Sequence, residues 1–117
     1  MTVRAYVRPV EATAAVEMFP GVERTTLVSG DSMTLVRVEV AADAEVPEHT
    51  HPHDQAGTVV RGRIRIRLGT GTAAITTDVS AGGGYMIPGE LAHFVEALED
   101  STLVEVFSPE REEFAHD

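Results

Sequence analysis

Three of the chain's five histidines fall inside one short stretch, Pro47 to Gly62 (PEHTHPHDQAGTVVRG), as His49, His51 and His53. A fourth, His93, closes the run Pro88-Gly89-Glu90-Leu91-Ala92-His93, and the fifth, His116, lies near the C-terminus. Imidazole is the commonest metal ligand near neutral pH, because the neutral ring keeps a nitrogen lone pair free. On an extended segment, side chains alternate with period two, so His49 and His51 turn their rings to one face. Gln55 has the same parity and brings an amide oxygen to that face, while His93 has to arrive from a distant strand. The spacing therefore nominates His49, His51, Gln55 and His93 as ligands of one metal ion. The plain alternative is a histidine-rich surface loop, since His-X-His alone is a weak signal. Strand-like runs on both sides and the Pro-Gly turn ahead of His93 favour a site. His53 shares the parity, but Pro52 disturbs the strand, which favours a place beside the site or at the surface over ligation.

The elements that must carry these residues read as short strands. Val3 to Val7 alternates and is a candidate first strand, an edge or an arm onto a partner subunit. Glu11 to Met18 is Ala-rich and reads as a short helix or a loop. Val22 to Val28 is the next strand, and Gly30-Asp31-Ser32 a turn. In Met33 to Val40 the set Thr34, Val36, Val38 and Val40 is expected to face the interior, opposite Leu35, Arg37 and Glu39. Thr58 to Val60 and Arg63 to Leu68 flank Arg61-Gly62 as a hairpin-like pair. Arg63, Arg65 and Arg67 share the face opposite Ile64, Ile66 and Leu68. A basic groove for an anion is one reading of these arginines; a solvated outer face paired with carboxylates is the favoured one, because a barrel interior needs the apolar set. Ala73 to Thr77, Tyr85 to Ile87, His93 to Leu98 and Thr102 to Ser108 complete the series. Recurring turn signals and almost no helical period predict an all-β sandwich or barrel.

At 117 residues the chain has the size of one domain with one core. It contains no cysteine, which removes disulfides and thiolate ligands and fits a cytoplasmic protein. No apolar run reaches the roughly 20 residues that span a bilayer, and no secretory signal is visible at the N-terminus, so no membrane association is expected. A net charge of −10 argues against nucleic acid as a partner. The chain has no lysine, so lysine chemistry is excluded.

The histidine pattern resembles the two motifs of the cupin superfamily. His49, His51, Gln55 and Gly62 match the first motif, and Gly82, Pro88 and His93 match the second in its looser form, Gly-X5-Pro-X4-His. The resemblance runs from about Val22 to Phe114. It implies a jelly-roll-like double-stranded β-helix over residues 1–117 as a single domain, with 1–20 as an N-terminal arm or edge strand and 109–117 as a C-terminal tail. It also implies one divalent transition metal. Imidazole with oxygen donors suits Zn, Ni, Fe, Mn or Co. Small cupins usually pair through N-terminal strands, so a homodimer is expected.

The run Glu105 to Phe114, EVFSPEREEF, resembles the ending D-V-F-S-P-P-R-E-D-F of small bacterial cupins near the pectin-degradation enzymes that linearise uronates. The resemblance places Glu105, Phe107 and Arg111 in the pocket beside the metal. Glu105 replaces a shorter Asp, Glu110 replaces the second Pro, and Thr58 stands where an aromatic residue is common. Read from chemistry alone, Glu105 is a carboxylate in an apolar strand, either exposed outward or facing in to transfer a proton. Arg111 either pairs bidentately with a substrate carboxylate or forms a surface salt bridge to Glu110 or Glu113. Tyr85 and Met86 read as wall or core. A neutral ligand set leaves a metal nearly its full +2 charge, a good Lewis acid for a carbonyl or enediolate oxygen. The expected function is a metal-dependent isomerase- or lyase-type enzyme acting on a small oxygenated anion such as a sugar acid. The alternatives are an oxygenase or cyclase of secondary metabolism, and a non-catalytic binding or sensing module.

Overall fold

The computed structural model describes residues 5–115. Ten strands follow in order: β1 (Ala15–Phe19), β2 (Val22–Ser29), β3 (Thr34–Val40), β4 (Glu45–His49), β5 (Asp54–Arg61), β6 (Arg63–Leu68), β7 (Ile75–Ser80), β8 (Gly84–Ile87), β9 (His93–Ala97) and β10 (Ser101–Ser108). One helical turn, α1 (Glu112–Ala115), closes the series. The strands form a six-stranded sheet in the order β1-β2-β3-β10-β5-β8 and a four-stranded sheet in the order β4-β9-β6-β7, every pair antiparallel. The all-β jelly-roll expectation is met. No helix among the described residues is long and apolar enough to cross a membrane.

Alternation decides what each strand buries. Thr34, Val36, Val38 and Val40 are all buried, while Leu35, Arg37 and Glu39 are not, as the period-two pattern requires. In β6, Ile64 and Ile66 are buried and pack into one core with Val36, Val59, Val95 and Leu103. Full burial of each such side chain contributes about 1.5–3 kcal/mol. The arginines of β6 point outward: Arg63 and Arg65 both reach Asp78 at 2.8 Å, and Arg67 reaches Glu48 at 3.3 Å. Those two arginines hold the Asp78 carboxyl below its usual range through hydrogen bonds. The arginine row is a solvated outer face paired with carboxylates.

Four readings of local structure change. Val3 lies outside the described residues, and Ala5 to Val7 carry no strand pairing; Tyr6 instead donates its hydroxyl to the Ser29 carbonyl at 3.1 Å. The Ala-rich stretch gives a short 3-10 turn at Val10–Ala12 and then β1, the edge strand beside β2, where tertiary pairing overrides helix propensity. The expected hairpin is a change of sheet. β5 is already flanked by β10 and β8, and β6 by β9 and β7, so neither has an edge left for the other. Gly62 makes the switch with φ +89°, where a Cβ would overlap Asp100 and Ser101. Finally, the stretch 109–117 is more than a tail as far as it is described: Phe114 of α1 is buried and lies 5.8 Å from the Phe107 ring, edge to face.

Candidate metal centre

His49 ends β4 and stands directly opposite His93, the first residue of β9. Their ring centroids are 4.2 Å apart. β4 is an edge strand whose pairing with β9 is irregular between Val46 and His49, and such a position tolerates Pro47, which lacks an N–H. After His49 the chain leaves the sheet, so His51 sits in the connection to β5 and not on a continuing strand. Its ring still turns inward, 4.9 Å from His93 and 5.5 Å from His49. One nitrogen from each of His49, His51 and His93 falls within 4.8 Å of the others, a spacing that suits a single divalent metal.

The outer nitrogens are all tied down. Nδ1 of His49 lies 2.8 Å from the Pro47 carbonyl, Nδ1 of His51 3.0 Å from the His53 carbonyl, and Nδ1 of His93 2.8 Å from the Leu91 carbonyl. A carbonyl only accepts, so each Nδ1 carries the proton and each Nε2 is left with a lone pair. His93 Nε2 is buried with no hydrogen-bond partner among the described residues. A buried acceptor left that way is costly, and a metal ion would satisfy it. Burial pushes the His93 pKa down to about 4 and lowers that of His51 too, with the nearby positive groups adding to the burial effect, so both rings stay neutral and able to ligate.

The opposite wall comes from the six-stranded sheet. Gln55 on β5 is buried, with Oε1 2.9 Å from His51 Nε2 and its Nε2 donating to Glu105 Oε2 at 2.8 Å. Glu105 on β10 faces inward with Leu103 and Phe107 and is only 8% exposed, so the outward reading is set aside. Burial raises its pKa, against the pull of Tyr85, Gln55 and Arg111. Arg111 faces the cavity and also forms the expected salt bridge to Glu113. It lines the cavity with its guanidinium 4.8 Å from the Phe107 ring centroid and 4.0 Å from that of Phe114, and its Nε bonds to Glu113 at 2.8 Å. Phe107 also meets the His51 ring edge to face at 5.6 Å. His53 stays outside the three-histidine group; its carbonyl, not its imidazole, acts on the site by holding His51. Apart from these polar groups and Arg24, the cavity wall is apolar, with Met18, Val38, Val46 and Leu103.

Two residues enter that the sequence reading did not single out for chemistry. Tyr85, read as wall or core, donates its hydroxyl to Glu105 Oε2 at 2.5 Å. β8 is too short for its alternation to reveal this. Arg24 is buried with its guanidinium 3.7 Å over the Phe114 ring and lines the same cavity. Its signal was an arginine sharing parity with the buried Val22 and Thr26.

Residues 36–108 match the cupin domain family. Among solved structures, an RmlC-like cupin from Shewanella frigidimarina aligns over 95% of this chain and 96% of its own, at 23% identity and TM-score 0.85. KdgF from a Halomonas species aligns over 94% and 98%, at 26% identity and TM-score 0.84. Oxalate decarboxylase from Bacillus subtilis, a protein with Mn(II) centres, aligns over 93% of this chain but 30% of its own, at 18% identity and TM-score 0.80. The first and third likenesses, at such low identity, concern the fold alone. Among curated protein sequences, none matches significantly.

Proposed function

This chain belongs to the cupin domain family, and from that premise we propose a metal-dependent enzyme that acts on a small oxygenated anion such as a sugar acid. The reaction is ring opening or isomerisation, by carbonyl polarisation and proton transfer. His49, His51, His93 and Gln55 would hold the metal, which supplies Lewis acidity little reduced by its neutral ligands. The observation that carries the reading is Glu105: a buried carboxyl, raised in pKa, beside that ligand set and facing the same cavity. Its Oε2 already accepts from Gln55 and Tyr85, so Oε1 is the atom that moves a proton to or from the substrate. Arg111, with Nε held by Glu113, has its terminal nitrogens left to pair with a substrate carboxylate. Phe107 stacks beneath that guanidinium and keeps it in place.

The resemblance of the C-terminal run to the uronate-linearising cupins supports uronates as first substrates. The likeness to KdgF along nearly the whole of both chains supports reading the given residues as one cupin unit. A cytoplasmic homodimer belongs to the same proposal. The apolar wall formed by Met18, Val38, Val46 and Leu103 favours a second reading, in which the ligand has an apolar body and the protein is a cyclase, an oxygenase or a binding module.

The test uses metal-saturated protein and a panel of uronates followed by NMR. Glu105→Gln is expected to lose about 10²–10⁴-fold in turnover with the metal still bound. Arg111→Ala is expected to raise KM more than it lowers kcat. Wild-type turnover by Glu105→Gln refutes the mechanism. Acids that raise the melting temperature without being turned over establish the binding module instead.

A further inference from the structure

His51 Nε2 and Gln55 Oε1 face each other across 2.9 Å. Because His51 Nδ1 carries the proton that it gives to the His53 carbonyl, Nε2 has only a lone pair, and the carbonyl oxygen of Gln55 has no proton to offer. Two acceptors are aimed at one point. Turning the Gln55 amide over would end the conflict by placing an N–H on His51. Which end of an amide is oxygen follows from its partners, and here the partner at the far end is Glu105. Its Oε2 accepts from Gln55 Nε2 at 2.8 Å and from the Tyr85 hydroxyl at 2.5 Å. In the turned amide, the Gln55 oxygen would lie against a carboxylate oxygen.

We propose that Glu105 and Tyr85 are positioning residues for Gln55: they hold its amide so that the oxygen faces His51 and the pair is shaped for a divalent cation. This rests on the reading of Gln55 as a ligand given above. The three residues are built for each other across neighbouring strands. Glu105 on β10 pairs with Gly57 on β5, and Gly57 pairs with Tyr85 on β8. The Tyr85 ring occupies the space that a side chain at 57 would need, and so reaches over β5 to Glu105. Groups that orient a metal ligand typically contribute 10–100-fold in metal affinity.

The experiment titrates metal-stripped, full-length protein with Co(II), reading the visible ligand-field bands and a competing chelator. Glu105→Gln lets the two amides pair in either orientation, and is expected to weaken Co(II) binding by about 10–100-fold. Tyr85→Phe is expected to weaken it in the same direction by less, and it carries the test if Glu105→Gln does not fold. In a Gln55→Glu background the ligand has an oxygen at both ends, so orientation no longer matters; there Glu105→Gln is expected to leave affinity unchanged or to raise it. Wild-type affinity in both Glu105→Gln and Tyr85→Phe overturns the proposal. So does an equal loss in the two backgrounds, which would mean that Glu105 acts through its charge alone. Wild-type affinity in Gln55→Ala overturns the ligand assignment itself. Loss in Gln55→Ala without loss in Glu105→Gln overturns only the orienting role.

Discussion

Tyr85 lies across Gly57: a methyl group built on Gly57 would overlap the phenol ring at its Cζ, hydroxyl and Cε2 atoms. The glycine is therefore required by packing against a neighbour and not by its backbone conformation, unlike Gly62 with its φ of +89°. The carboxyl at 105, the bare position 57 and the phenol at 85 form one row across β10, β5 and β8. That row connects the fold to the site.

Gly57→Ala is accordingly expected to be destabilising by about 1–3 kcal/mol, the usual cost of overpacking, because the half-buried Tyr85 ring would have to move. Urea unfolding of the metal-free protein measures it. A change within about 0.5 kcal/mol would mean that the ring swings aside freely, and the Tyr85–Glu105 hydrogen bond would then not depend on residue 57.

Metal removal gives the second expectation. A ligand that binds only the folded state stabilises it by about 2.7 kcal/mol at one hundred times its dissociation constant. Wild-type protein should therefore melt higher with added Zn(II) or Mn(II) than after chelation. His49→Ala and His93→Ala each remove one of the paired rings of β4 and β9 and should melt at the same temperature with and without metal. Elemental analysis of purified protein should show one metal per chain in wild type and none in the double variant. Metal content equal to wild type in that variant would remove these two histidines from the ligand set.

Much of this site was legible because a strand's alternation reports faces. Thr34 to Val40, the β6 arginines and the shared face of Leu103, Glu105 and Phe107 follow from period two, while which face of β10 turns inward does not. Alternation says nothing of which strands pair. The run around Gly62 has the local signature of a hairpin, yet β5 and β6 belong to different sheets, because their long-range partners are worth more than the local turn. The site itself lies between the sheets: His49 and His93 come from one, Gln55 and Glu105 from the other, and His51 from the connection. The Gln55–Glu105 contact spans fifty residues of chain and leaves no mark in either stretch alone. Tyr85 was missed for the same reason: its partner is set by register across Gly57.

The pH dependence of the metal-free protein follows from burial, and two groups pull against each other. His93 is held at about 4 in the folded state, mainly by burial, against 6.5 for an ordinary histidine. Between those values the unfolded chain binds more protons than the folded one, so stability rises with pH across that window and is lost as pH falls through it. The lowered pKa of His51 acts in the same sense. Glu105 has the opposite sign. Burial raises its pKa above 4.5, so the folded state keeps its proton longer, and stability falls as pH climbs from 4.5 through the raised value. A shift of one unit corresponds to about 1.4 kcal/mol, so His93 alone contributes on the order of 2–4 kcal/mol between pH 4 and 7, less whatever Glu105 takes back. Urea unfolding of chelated protein at pH 4.5, 5.5 and 7 reads the net. Glu105→Gln removes the opposing group and should steepen the rise with pH, while His93→Ala should flatten it. A wild-type profile that is unchanged by His93→Ala would show that the ring carries no such penalty, and with it the case for a buried, neutral, metal-ready imidazole would fall.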